Sequence, residues 1–307
     1  MTYTIGNVLD VLPTLDAGRF QCCVTSPPYW GLRDYGHDDQ LGLEPTPAEY
    51  VANMVRVFAE VRRVLRDDGV LWLNVGDSYA GARGGPQGAG GQMADRSVAK
   101  SRCREVGITR VADGCKPKDL VGIPWMLAFA LRADGWYLRS DIIWAKPSPM
   151  PESVTDRPTR AHEYVFLLSK RASYYYDADA IAEPTTEDPG ERRIGGDKTT
   201  AATLGGKDSS ALRAVKDTRN ARSVWTIASQ PFAGAHFATM PPKLAERCIL
   251  AGSRIGDEVL DPFLGSGTVG MVAEALGRRW HGVELNPKYE EIIRQRTAQQ
   301  GLFGRTP

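Results

Sequence analysis

Val259-Leu260-Asp261-Pro262-Phe263-Leu264-Gly265-Ser266-Gly267-Thr268 decides how this chain is read. A short apolar segment runs into a glycine-bearing turn, and Val269 to Leu276 then reads as a helix punctuated by Gly277. Glycine lets a backbone approach a ligand closely, and the start of the following helix offers free amides and the positive end of its dipole. The next apolar segment, Trp280 to Val283, ends in Glu284, 17 positions past Gly267. An acidic side chain at the tip of that strand is where doubly wound sheets hold a ribose diol. The stretch is a nucleotide-type loop, and an ordinary dinucleotide site is the competing reading of the same residues.

Outward from this loop, strand and helix patterns alternate. Thr4-Ile5 and Cys22-Cys23-Val24 read as strands, and Tyr50, Met54, Val57, Val61 and Val64 recur at helical spacing after them. Thr46 caps that helix, Pro47 suits its first turn, Glu49 completes a capping box, and Asp67-Asp68-Gly69 stops it. Val70 to Val75 is then a buried strand, Pro124 to Arg132 a helix ended by Gly135, and Tyr137 to Trp144 and Tyr164 to Leu168 are strands. Tyr174-Tyr175-Tyr176 reads as a further aromatic strand. Strands separated by helices predict an α/β fold with a doubly wound, mostly parallel sheet covered on both faces.

Length and composition bound the reading. A chain of 307 residues with 42% apolar and 24% charged content buries a full core and is expected to be soluble. No apolar run reaches the ~20 residues of a membrane span, and Met1-Thr2-Tyr3-Thr4-Ile5 lacks the features of a signal peptide, so a cytoplasmic protein is expected. Five cysteines without a Cys-x-x-Cys pair and four scattered histidines argue against a disulfide scaffold or a metal site. His37 with Asp34, Asp38 and Asp39 reads as a solvated turn. A net charge of +1 requires any phosphate-binding surface to be a local patch.

After the second strand stands Thr25-Ser26-Pro27-Pro28-Tyr29-Trp30. Two prolines fix φ, the second lacks an amide hydrogen, and Ser26 is extended because a proline follows it. Backbone carbonyls are thereby left as acceptors beside aromatic rings, which suits a flat ring carrying an amino group. Together with Phe263, Gly265, Gly267 and Glu284, this segment resembles the amino-methylating DNA methyltransferases, which carry Asp, Asn or Ser before Pro-Pro-aromatic, and a Phe-x-Gly-x-Gly loop. Ser-Pro-Pro-Tyr precedes the loop by more than 230 residues, an order that resembles the circularly permuted β group of that family.

The resemblance implies the S-adenosylmethionine-dependent methyltransferase fold with inserted loops and a small target-recognition region. It also implies S-adenosyl-L-methionine as cofactor and double-stranded DNA as substrate; a cognate restriction endonuclease and a homodimer are the further partners it admits. Ser26, Pro27, Pro28 and Tyr29 then stand in the catalytic positions. Asp261, Phe263, Gly265, Ser266, Gly267, Thr268 and Glu284 stand at the cofactor, and Asp10 in Gly6-Asn7-Val8-Leu9-Asp10 matches an acidic residue that contacts its adenine. Trp144-Ala145-Lys146-Pro147 with Arg160-Ala161-His162-Glu163 resembles the segment that lines the target-base pocket, and Trp144 and Lys146 are the candidates within it. Trp30 either walls that pocket or anchors its loop. Residues 1–182 form the catalytic part and 223–307 the cofactor part. Residues 183–222, polar and Gly-rich, are the candidate target-recognition insertion, or a long linker.

Residues 81–119 hold eight Lys or Arg against four Asp or Glu, a mobile basic loop suited either to clamping a strand or to simple solvation. No Pro-Cys dipeptide occurs, so carbon-5 methylation of cytosine, which needs a cysteine nucleophile, is not expected. Ser26 in the first motif position accompanies cytosine N4 among relatives, and adenine N6 is the alternative. A methyltransferase of RNA or protein, and a non-catalytic DNA-binding module, are the rivals from other classes.

Overall fold

The apolar runs Val70 to Val75, Tyr137 to Trp144 and Tyr164 to Leu168 all lie in strands. The computed structural model describes residues 2–32, 36–81, 114–185, 217–230 and 239–298. In chain order the strands are β1 (Thr2–Ile5), β2 (Phe20–Thr25), β3 (Leu65–Val75), β4 (Tyr137–Ala145), β5 (His162–Ser169), β6 (Glu183–Pro184), β7 (Thr218–Arg219), β8 (Val224–Thr226), β9 (Glu258–Asp261) and β10 (Arg279–Glu284). The helices are α1 (Val8–Val11), α2 (Pro47–Val64), α3 (Ile123–Ala133), α4 (Pro242–Gly252), α5 (Thr268–Ala275) and α6 (Glu290–Ala298).

Eight strands form one sheet in the order β1-β10-β9-β2-β3-β5-β4-β8. The five strands from β1 to β3 run parallel, and β8 runs parallel to β4. β5 is antiparallel to both β3 and β4, so the sheet is mixed while mostly parallel. Helices cover both faces. Cys23, Leu71, Leu73 and Phe166 pack into one apolar cluster with Tyr50, Met54 and Phe58 of α2 and Leu127 of α3. Cys22 and Trp72 face the opposite way, where a Cβ added at Gly252 of α4 would stand 2.7 Å from Cys22 Sγ. Burial pushes the thiols of Cys22, Cys23 and Cys248 well up, as expected of small apolar core residues.

Thr46 Oγ1 accepts from the Glu49 amide at 3.2 Å and starts α2, with Pro47 as its first residue. The strand that follows begins earlier than the sequence pattern suggests. Leu65 already pairs with Phe20, and a register shift then absorbs Asp67-Asp68-Gly69 into β3. Tyr174, Tyr175 and Tyr176 do not form the expected strand. They sit in irregular backbone, where the guanidiniums of Arg139 and Arg254 lie 5.5 and 3.9 Å from the ring centres of Tyr174 and Tyr175.

The chain divides into two compact units, one of Met1–Asp177 with Ser223–Pro307 and one of Ala178–Arg222. Within the second, β6 and β7 pair antiparallel, and Glu183 accepts from Arg222 Nε at 2.8 Å. Most of the basic loop (82–113) and of the predicted insertion (186–216) lies outside the described residues, as do Asp34 and residues 231–238. Among the described residues no helix is long and apolar enough to cross a membrane, and no His, Cys, Asp and Glu group is placed to hold a metal ion.

Candidate active site

From β2 the chain proceeds to β3 on one side of the sheet, and from β9 it proceeds to β10 on the other. The point between β2 and β9 is therefore a topological switch point, where doubly wound sheets open a crevice beyond the carboxyl ends of their strands. Thr25, the last residue of β2, donates from Oγ1 to Asp261 Oδ1 at 2.7 Å across it. The Phe263 amide donates to the same oxygen at 3.1 Å. Burial pushes the Asp261 carboxyl up to about 7; the two hydrogen bonds oppose the shift and nearby Glu284 adds to it.

The loop after β9 is shaped by its glycines. Gly267 has φ +82° and begins α5 in a left-handed conformation that an L side chain adopts with strain. The Gly265 amide donates to Glu284 Oε2 at 2.8 Å, and the Asn286 amide to Oε1 at 2.9 Å. The loop after β9 and the turn after β10 thus converge on one carboxylate, whose pKa burial raises. Ser266 is buried and accepts from the guanidinium of Arg296, brought over by α6. Thr268, also buried, opens α5. Gly270 completes a Gly-x-Gly-x-x-Gly spacing, and a Cβ there would stand 2.7 Å from the Trp280 ring. The glycines alone therefore match a dinucleotide loop as well. Asp10 lies exposed on α1, directly after β1, whose Ile5 is paired with Glu284.

Ser26-Pro27-Pro28-Tyr29 leaves β2 at the same end of the sheet. Tyr50 Oη donates to the Pro28 carbonyl at 2.9 Å, so this carbonyl is not the free acceptor that the sequence suggests. Trp30 donates from Nε1 to the Glu44 carbonyl at 2.9 Å and packs on the core, which makes it an anchor of its loop. The Tyr29 ring presses on backbone: a Cβ added at Gly76 would come 2.6 Å from it.

Behind Tyr29 lies a polar cluster that joins three strands. β5 runs against β3 and β4, which brings its first residues beside the last residues of both. Tyr29 Oη donates to Glu163 Oε2 at 2.6 Å and lies 3.2 Å from Asn74 Oδ1, while Ser26 Oγ lies 3.3 Å from Tyr29 Oη. Glu163 is ion-paired with Lys146, whose Nζ stands 4.5 Å from the centre of the Trp144 ring. Burial works to raise the Glu163 pKa and is the largest single influence, but Lys146 and the bonds from Tyr29 and Asn74 together hold it below the usual carboxylate range. Trp144 is buried, and its Nε1 donates to the Ile227 carbonyl at 2.8 Å. Of the base-pocket candidates, Lys146 reaches this cluster and Trp144 forms the wall beneath it.

Glu163 enters the sequence reading only as the last residue of the segment that resembles the base-pocket lining, and Asn74, Gly76 and Arg296 carry no role in it. Neither does Asp77, which accepts from the amides of Ser78, Gly122 and Ile123 and so fastens the end of β3 to the start of α3. Burial raises its carboxyl, against those bonds. Arg160 donates to the Asp77 carbonyl at 2.7 Å, and the Arg157 guanidinium lies 4.0 Å from the Tyr79 ring centre. These contacts tie the end of β3 to the start of α3 and to the segment before β5.

A family model described as DNA methylase matches residues 20–295. The chain belongs to this DNA methylase family. The methylase is 47% identical over 287 residues to the type II methyltransferase M.Cfr9I of Citrobacter freundii, covering 94% of this chain and 84% of that protein. It is 46% identical over 293 residues to the type II methyltransferase M.SmaI of Serratia marcescens, covering 95% and 89%. Its fold matches that of PvuII DNA methyltransferase (cytosine-N4-specific) with a TM-score of 0.63 at 20% identity, covering 96% and 85%. A second match is a putative DNA modification methylase from Thermus thermophilus, complexed with S-adenosyl-L-methionine, with a TM-score of 0.58 at 24% identity, covering 97% and 93%. The methylase family is S-adenosyl-L-methionine-dependent.

Proposed function

We propose that this methylase moves a methyl group from S-adenosyl-L-methionine to the exocyclic N4 of a cytosine flipped out of double-stranded DNA. The observation that carries the reading is the meeting, at one switch point, of Ser26-Pro27-Pro28-Tyr29 with the Asp261 to Thr268 loop, tied by the Thr25 to Asp261 hydrogen bond. Ser26 in the first motif position supports cytosine, as does the fold's likeness to a protein described as cytosine-N4-specific.

The residues present fit the cofactor. A Cβ at Gly265 would meet nothing nearer than 4.0 Å, so the backbone there is open to close approach. Glu284 stands at the tip of β10 where a ribose diol is held, Phe263 and Gly267 flank the loop, and Asp10 lies at the same end of the sheet beside β10. When bound, the cofactor supplies a sulfonium-activated methyl group.

The chain's own residues do the rest by positioning. An exocyclic amino nitrogen is a poor nucleophile while its lone pair is delocalised into the ring. Ser26 Oγ and the Pro27 carbonyl accept its hydrogens and draw the nitrogen toward tetrahedral geometry. Tyr29 offers a stacking face, worth ~1 to 3 kcal/mol against the few kcal/mol that flipping costs. Cys22, Cys23 and Cys248 are buried with raised pKa values, so none of these three is disposed to act as a thiolate. Residues 1–182 carry the catalytic part and 223–307 the cofactor part. Residues 183–222 read the DNA sequence, and the basic loop 81–119 holds the strand. A cognate endonuclease is the natural partner, in keeping with the type II relatives.

The test is transfer of a radiolabelled methyl group from S-adenosyl-L-methionine to duplex DNA, to RNA and to protein acceptors. Label in duplex DNA that falls to a small residual rate in Ser26→Ala supports the reading; label in RNA or protein alone overturns it.

A further inference from the structure

Tyr29 Oη carries one hydrogen and two lone pairs. Two acceptors face it, Glu163 Oε2 at 2.6 Å and Asn74 Oδ1 at 3.2 Å. The Asn74 amide cannot turn to present its nitrogen instead, because Nδ2 already donates to the Tyr164 carbonyl and to Glu163 Oε2, both at 3.1 Å. Nor can Glu163 supply a hydrogen, being a carboxylate in an ion pair with Lys146. The phenol hydrogen is therefore committed to this acceptor pair. The contact with Ser26 Oγ at 3.3 Å must then be one in which Ser26 donates. With its single hydrogen turned inward, Ser26 shows only lone pairs to whatever lies in front of it.

We infer that Glu163 is a positioning residue which, through Tyr29, fixes the Ser26 hydroxyl as an acceptor for the target amino group. The inference rests on the role given to Ser26 above and deepens it. A free serine hydroxyl has two ways to meet the base: it accepts from the amino group, or it donates to the neighbouring ring nitrogen. Only the first draws the amino nitrogen toward tetrahedral geometry. A carboxylate two hydrogen bonds away selects it, since an acceptor at one end of a hydroxyl chain sets the direction of every hydrogen along it. The 2.6 Å bond has the length of a charge-assisted link, while the 3.3 Å bond is long for a hydroxyl pair, so the control exerted on Ser26 is moderate.

The experiment compares Glu163→Gln and Tyr29→Phe, each alone and combined with Ser26→Ala, in methyl transfer to duplex DNA. Glutamine can donate as well as accept and so releases the chain's direction; phenylalanine keeps the stacking face and removes the link. Each single variant is expected to lower kcat about tenfold, the scale of one hydrogen bond to a charged group, with KM for DNA changed less than about twofold. Neither is expected to lower the residual rate further once Ser26 is alanine. Unchanged kcat, or the same fractional loss in the Ser26→Ala background, would overturn the inference. Cofactor binding by calorimetry checks that each variant is folded. If Glu163→Gln fails that check because Lys146 is left unpaired, Tyr29→Phe, which keeps the ion pair, decides by the same criterion. Absence of methyl transfer to DNA by the unmodified protein would instead refute the functional reading itself.

Discussion

Asp261→Asn tests the buried carboxylate on which the two halves of the site meet. Thr25 Oγ1 and the Phe263 amide both donate to Oδ1, so asparagine can keep both bonds and remove only the charge. The carboxyl is raised from 3.8 to about 7, mainly by burial. For an acid whose folded pKa lies above its unfolded one, stability is fully present below the unfolded value and is lost as pH rises through the folded value. The window therefore runs from about pH 4 to about pH 7. At 1.36 kcal/mol per unit, the cofactor-free protein should lose about 3 kcal/mol between pH 5 and pH 8 from this one group. Urea unfolding of the two proteins across that range measures it. The stability of Asp261→Asn relative to the parent should grow by about that amount as pH rises. A difference that stays constant with pH would refute the claim that burial governs this carboxyl.

Two further perturbations separate the parts of the site. Tyr29→Ala should cut kcat by at least ~100-fold, since the stacking face and the link to Ser26 go together, while the Kd for S-adenosyl-L-methionine measured by calorimetry stays within about twofold. Gly267→Val puts a β-branched side chain at φ +82°, which strains the turn by about 1 to 3 kcal/mol, so cofactor binding should vanish in a protein whose circular dichroism remains that of the parent. Unchanged affinity there would remove the loop from the cofactor site.

The sequence shows some parts of this molecule more readily than others, for reasons that lie in particular residues. The parallel half of the sheet was legible because a helical pattern stands between β2 and β3, and another between β9 and β10. The reversed direction of β5 was readable in principle: no helical pattern separates Ala145 from His162, and parallel neighbours need a crossover. The early start of β3 was hidden by Asp67-Asp68-Gly69, a local turn signal that pairing between Leu65 and Phe20 overrides. The glycine loop announced a nucleotide site, but Gly270 gives it the spacing of a dinucleotide loop, and the family match, with the meeting of loop and Ser26 segment at the switch point, carries that distinction instead.

The polar cluster behind Tyr29 was less visible. Asn74 is the one polar residue in Val70-Leu71-Trp72-Leu73-Asn74-Val75, and a buried polar side chain of that kind must find partners; this was a usable signal. Glu163 was visible only within Arg160-Ala161-His162-Glu163, the segment that resembles the base-pocket lining; its place in the cluster was not, because a strand end rich in polar residues looks solvated until tertiary pairing sets it beside Lys146. Arg296 was equally hidden among the charges of α6, and only its burial against Ser266 distinguishes it.

The central claim is that this site places a methyl group on cytosine N4. Its most direct test is mass spectrometry of the nucleosides released from duplex DNA after incubation with the protein and S-adenosyl-L-methionine. The expected result is N4-methylcytosine, strongly reduced when Ser26 is replaced by alanine. N6-methyladenine as the sole product would contradict the claim.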